Sequence, residues 1–154
     1  MRNDEQGQKL RSGKCSSIGR AFFSGIDADI LLGGEDAPIS VISMTVEPHQ
    51  GAPEHTSNGE DKVFLVNKGR LIFLVGTEKF IAYPGDCIFV SRGIVHSFSA
   101  LDDRVASMTL VSAPGRHDRF FQAMGELSKP HDIEEVASVC DCFEQAIVGP
   151  VVAE

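Results

Sequence analysis

Apolar positions along this chain come in short runs rather than long stripes, and many alternate with polar ones. Runs of this kind fall at 27–32, 39–46, 62–66, 71–75, 79–83, 87–90, 96–99 and 105–111. They are rich in Val, Ile and Phe, and Gly, Pro, Asp or Asn separates many of them, as expected of strands joined by turns. Gly69-Arg70 fits a hairpin turn, and Pro84-Gly85-Asp86 and Arg92-Gly93 fit two more. Many short strands at close spacing predict a β-sandwich or barrel.

The period changes after Pro114. Phe120, Phe121 and Met124 share one helical face, which predicts a helix over 116–125 with Gly125 placed to end it. A second helix is predicted from Asp132 to about Phe143, with Ile133, Val136, Ala137 and Cys140 on one face. Asp132 is its expected N-cap and Glu135 the capping-box partner. Residues 147–153 hold Gly149 and Pro150 and read as an extended segment laid on the body. Residues 1–20 are polar with Gly and Ser and read as a loose arm, which leaves 21–154 as one domain.

Composition changes this picture little. A chain of 154 residues, 42% hydrophobic and 23% charged, suits one soluble domain. Charge excludes more. Fourteen Lys and Arg stand against 22 Asp and Glu, a net charge of −8, which argues against nucleic acid as a partner. No apolar run spans a bilayer, and Met1–Gly13 lacks the apolar centre of a signal peptide, so a cytoplasmic protein without membrane contact is expected. Cys15, Cys87, Cys140 and Cys142 lack paired CxxC spacing and are expected to be free thiols.

The chemistry concentrates in two segments. One runs Pro53-Glu54-His55-Thr56-Ser57, through Glu60-Asp61-Lys62-Val63-Phe64, to Gly69. The other runs Pro84-Gly85-Asp86-Cys87-Ile88-Phe89-Val90-Ser91-Arg92-Gly93-Ile94-Val95-His96-Ser97-Phe98. Together they resemble the two motifs of the cupin superfamily, G-x5-H-x-H-x(3,4)-E-x6-G and G-x5-P-x-G-x2-H-x3-N. In the second motif Gly85, Gly93 and His96 fall in register, while Ser91 replaces the Pro and Ala100 the Asn. In the first, His55 and Gly69 match. Ser57 stands at the second His, Lys62 at the Glu, and His49 at the opening Gly. The Ala113-Pro114-Gly115 turn into Arg119-Phe120-Phe121, and the closing Val148-Gly149-Pro150, are similar to bacterial cupins related to quercetin 2,3-dioxygenase. The resemblance implies an all-β fold, a small double-stranded β-helix or jelly-roll barrel with one or two C-terminal helices.

It also implies a metal held by three His and one Glu, and here half of that set is replaced. Only His55 and His96 remain. A Ser hydroxyl is a poor ligand, and the Lys62 ammonium would repel a cation by about 4 kcal/mol at 4 Å and an effective dielectric near 20. No cofactor is therefore expected. A weakly bound divalent transition metal would need His55, His96 and Glu60 as ligands, with His49 folding back as a third imidazole. Glu60 shares a strand face with Lys62 by alternation.

Three functions follow. The first is a metal-independent enzyme in which Lys62, His55 and His96 do acid–base work on a carbonyl compound: cyclisation, isomerisation, dehydration or decarboxylation, in the manner of natural-product tailoring. Phe64, Phe73, Phe89 and Phe98 would supply pocket or core surface for an apolar or aromatic substrate, with Ser57, Glu60 and His49 beside it. The second is a metal-dependent, quercetinase-like dioxygenase with an irregular site. The third is a small-molecule-binding protein without turnover. Lys68, Lys79 and Arg92 read as surface charges, and His117 and His131 as solvent-facing. The resemblance also implies a homodimer, with the N-terminal arm and Phe22-Phe23 as the expected contact.

Overall fold

Residues 10–154 are described by a computed structural model, so residues 1–9 of the expected arm lie outside the described residues. The elements run β1 Gly19–Phe23, β2 Ile26–Leu32, β3 Ser40–Val46, β4 Gly51–Ser57, β5 Asp61–Lys68, β6 Leu71–Val75, β7 Glu78–Ala82, β8 Cys87–Val90, β9 His96–Ala100, β10 Ala106–Ala113, α1 His117–Glu126, α2 Ile133–Cys142 and β11 Gln145–Val151. The arm ends sooner than expected, because Gly19 and Arg20 already pair with Ile30 and Asp29 of β2.

The strands form two antiparallel sheets that face each other as a jelly-roll barrel. One sheet has the order β1-β2-β3-β10-β5-β8 and the other β11-β4-β9-β6-β7. Alternation sets the inside. In β3, Ile42, Met44 and Val46 point inward while Val41, Ser43 and Thr45 do not, and β10 inserts Met108 and Leu110 in the same way. The second sheet answers with Leu71, Phe73, Phe98 and Ala100. Phe64 of β5 crosses the interior to meet Phe73 at 5.4 Å and Phe98 at 5.6 Å between ring centroids, both edge-on. Such aromatic pairs add to the area they bury.

Strand β9 is buried on both faces, which simple alternation does not explain. Its inward side chains are His96, Phe98 and Ala100. Its outward Ser97 and Ser99 are covered by the end of the chain: the Val152 N–H donates to Ser97 Oγ, and Ser99 Oγ donates to the Val152 carbonyl. Ile72, Leu101 and Val152 make a small second apolar cluster there.

The two helices sit at one end of the barrel. Helix α1 turns Phe120, Phe121 and Met124 inward, and Phe23 packs edge-on against both phenylalanines. Phe23 is thus core, and only Phe22 of that pair is exposed. Gly125 does not end α1 but lies within it, where a Cβ would come 3.1 Å from Ala21 Cβ. Glycine lets the helix lie close on β1. Asp132 caps α2 as expected, accepting from the Glu134 and Glu135 N–H groups. The buried face of α2 differs from expectation: Ile133 is 86% exposed, and Val136, Val139 and Cys140 face the core. All four cysteines are free. Among the described residues no helix is long and apolar enough to cross a membrane.

Candidate active site

Strands β4 and β9 bring the two motif histidines side by side. His55 and His96 are register partners with ring centroids 4.1 Å apart. Strand β4 carries Pro53 mid-strand, where the ladder is irregular on both sides, as proline in a sheet requires. Gly51 lets the strand approach β9, since a Cβ there would strike the Phe98 carbonyl. From the opposite sheet, Glu60 just before β5 and Lys62 and Phe64 within it point inward on alternate positions.

Lys62 does not reach solvent. It is 2% exposed, and its Nζ lies 3.2 Å from His96 Nε2 and 3.4 Å from His55 Nε2. The tautomers follow from the other ring nitrogens. His55 Nδ1 is 2.7 Å from the Pro53 carbonyl, and His96 Nδ1 is 2.9 Å from the Ile94 carbonyl. A carbonyl only accepts, so both Nδ1 atoms carry hydrogen and both Nε2 atoms present lone pairs. The lysine therefore donates to both. Two imidazole lone pairs converge on a nitrogen rather than on an ion.

The electrostatics agree with neutral imidazoles. Burial, and then the Lys62 charge, push His96 down to about 3. His55 is held well below its ordinary value for the same two reasons, in the same order. Burial pushes Lys62 itself down to about 7, and Glu60 opposes this only in part. Near neutral pH, Lys62 thus exists in both its amine and ammonium forms.

Glu60 belongs to a second group. His117 Nδ1 donates to Glu60 Oε1 at 2.8 Å, and Gln145 Nε2 donates to the same oxygen at 2.8 Å. Ser57 Oγ in turn donates to Gln145 Oε1. Burial alone would raise Glu60, but the His117 bond, the Lys62 charge and the Gln145 bond outweigh it, and its pKa is lowered. His117 is 2% exposed, which corrects the expectation that it faces solvent. Burial, then Lys62, bring it down to about 4. With its proton on Nδ1, its Nε2 is an acceptor.

Part of this cluster opens on one cavity of about 180 Å³ beside the helices, while His96, Glu60 and Ser57 stand behind its wall. His55, Lys62, His117, His131 and Gln145 contribute polar wall, which corrects the solvent-facing expectation for His131, and Phe23, Phe64, Phe98, Leu110, Phe120 and Phe121 contribute apolar wall. An apolar cavity of about 150 Å³ admits benzene, so a ring-sized molecule fits here.

Several expected site residues lie elsewhere. His49 is at the rim, 64% exposed and 3.1 Å from Asp103, with a left-handed φ of 62° that turns it outward. Phe89 is 61% exposed because β8 points Ile88 and Val90 inward instead. Phe73 is core beneath the site, not cavity wall. Ser57 is buried behind the cavity and acts only through Gln145.

The donor set does not fit a metal. A bound ion lies about 2.0–2.1 Å from an imidazole nitrogen. The point where the two Nε2 atoms converge is taken by Lys62 Nζ, and Glu60 is committed to His117 and Gln145. Among the described residues no three His, Cys, Asp or Glu are grouped to hold an ion.

Residues 42–112 match the family model described as a cupin domain. No curated protein matches in sequence. Among solved structures, Streptomyces PAC13 (Y89F) with uridine is 18% identical with a TM-score of 0.63, covering 93% of this chain and 95% of that one. Another Pac13 structure is described as a unique nucleoside dehydratase. KdgF from Halomonas sp. is 17% identical with a TM-score of 0.57, covering 70% of this chain and 91% of that one. A predicted oxalate decarboxylase from Thermotoga maritima is 18% identical with a TM-score of 0.53, covering 57% of this chain and 79% of that one. At these identities the likeness is one of fold.

Proposed function

We propose, from the match of residues 42–112 to the cupin-domain model, that the chain is a cupin-type small-molecule enzyme that moves protons on an apolar or aromatic carbonyl compound without a metal ion. The observation that carries this reading is the convergence of two imidazole lone pairs on the buried Lys62 Nζ.

In its amine form Lys62 spends two N–H bonds on His55 and His96, and its lone pair is left as a base. An ordinary lysine is neutral to only about one part in a few thousand at pH 7. With its value near 7, Lys62 is neutral in a large fraction of molecules. After it takes a proton from the carbon beside a carbonyl, the ammonium stands next to the new enolate, and its charge stabilises that anion in a water-poor site. His117 supplies a second proton station in the same cavity. If its Nε2 takes a proton, the Glu60 carboxylate at Nδ1 stabilises the imidazolium, the orienting role a carboxylate has in catalytic triads. Two stations in one cavity suit isomerisation, dehydration or cyclisation, each of which removes one proton and returns another.

The test is proton exchange. Phenylacetone, incubated in D2O with metal-stripped protein and excess chelator, should exchange its α-protons faster than in buffer, as followed by NMR. Lys62→Met should return the rate to that of buffer. Exchange at the buffer rate with the wild-type protein, or exchange that vanishes on chelation, rejects the reading.

A further inference from the structure

Resting on the acid–base reading, we propose that Lys62 also reacts covalently: its Nζ forms a Schiff base with the carbonyl carbon of an aldehyde or ketone whose apolar body occupies the cavity. Making an imine from an amine requires that nitrogen lose both of its hydrogens, and here each points at a separate acceptor, one at His55 Nε2 and one at His96 Nε2. Both imidazoles are fixed in the accepting tautomer by backbone carbonyls.

The Nζ lone pair forms the C–N bond while the carbonyl π electrons move to oxygen. One N–H proton passes by way of an imidazole to that oxygen and gives a neutral carbinolamine. The second N–H proton leaves nitrogen by the other imidazole and joins the departing hydroxide. The C–O bond breaks, the C=N bond forms, and one water is released. No oxidant or further reactant is needed. Burial favours the uncharged amine that this attack requires, and Phe64, Phe98 and Leu110 supply apolar surface beside it. Of the other titratable groups in the cavity wall, His117 is bonded to Glu60, and neither it, His131 nor Cys140 is hydrogen-bonded to the amine.

Reductive trapping tests this. Benzaldehyde suits the cavity and has no α-proton, so it cannot report exchange. With benzaldehyde and cyanoborohydride at pH 7, one benzyl group per chain should appear on Lys62 at least about tenfold faster than on the exposed Lys68 or Lys79, as read by peptide mass mapping. Lys62→Met, shown to be folded by circular dichroism, should lose this fast phase. If that variant does not fold, the peptide map of the wild-type chain decides alone. A Lys62 peptide that stays unmodified, or labels no faster than Lys68, overturns the covalent step. Phenylacetone exchange that persists in that case leaves the acid–base reading standing, while fast trapping without exchange rejects acid–base work and keeps the imine.

Discussion

Lys62 occupies the place of a carboxylate and holds it by chemistry of its own. A carboxylate there would join the two Nε2 lone pairs as a third metal donor, whereas the lysine satisfies those lone pairs with its N–H bonds. Lys62→Glu should therefore create a two-His, one-carboxylate site, the donor class that suits divalent transition metals. Calorimetry with Zn²⁺ should show one ion bound per chain in that variant and none at this position in the wild-type chain, and His55→Ala on top of it should remove the binding. Equal binding by both proteins would show that the lysine does not displace the ion. His55, Lys62 and His96 were legible in the sequence because motif spacing places a residue whether or not its chemistry is conventional. His117 was misread as solvent-facing, although the helix carried a signal for its burial. It stands at i to Phe120, Phe121 and Met124 at i+3, i+4 and i+7, on the same buried face. A histidine beginning a helix reads as solvated until a partner is known, and Glu60 arrives from 57 residues away.

The eight apolar runs read as strands are β2, β3 and β5 to β10, whereas β1 and β4 were missed. Strand β4, Gly-Ala-Pro-Glu-His-Thr-Ser, has no apolar period at all. It is a strand because β9 and β11 flank it, a tertiary cause that no local pattern carries. Strand β11 was foreseen only as an extended tail, and Gln145 at its start had no signal of its own. Helix α2 was placed correctly, but its face was rotated, since Ile133 looks like the first residue of an apolar stripe and is in fact its exposed edge. The cap residue was the surer sign. Asp132→Ala should cost about 1 kcal/mol and lower the melting temperature by about 2–4 °C in a chain of this size. Thermal denaturation measures this, and an unchanged midpoint would show that α2 does not depend on its cap.

At the scale of the molecule, the buried site makes stability depend on pH in one direction. Three imidazoles are neutral in the folded chain below their ordinary 6.5, with His117 near 4, His96 near 3 and His55 well below its usual value. As pH falls from 6.5 toward 4, the unfolded chain takes up protons that the folded chain refuses, so stability falls, by up to about 1.4 kcal/mol per pH unit for each such group. Glu60, lowered from 4.5, adds to the loss at the acid end. Lys62 acts higher, because between about 10.5 and about 7 the unfolded lysine is charged and the folded one is not. Stability should therefore rise with pH across both windows, and Lys62→Met should flatten the upper one while keeping the lower. Urea denaturation at a series of pH values tests this. A flat profile between pH 7 and 10 in the wild-type protein would mean that Lys62 keeps its ordinary basicity.

Strand β11 and the chain end behind β9 give this design an order in time. During synthesis Lys62 leaves the ribosome well before α1, and Gln145 and Val152 emerge later still. Until they do, Glu60 lacks its bond from Gln145 and β9 lacks its cover. The nascent lysine is an ordinary hydrated ammonium, and the burial that lowers its basicity comes only once the two sheets have closed around it.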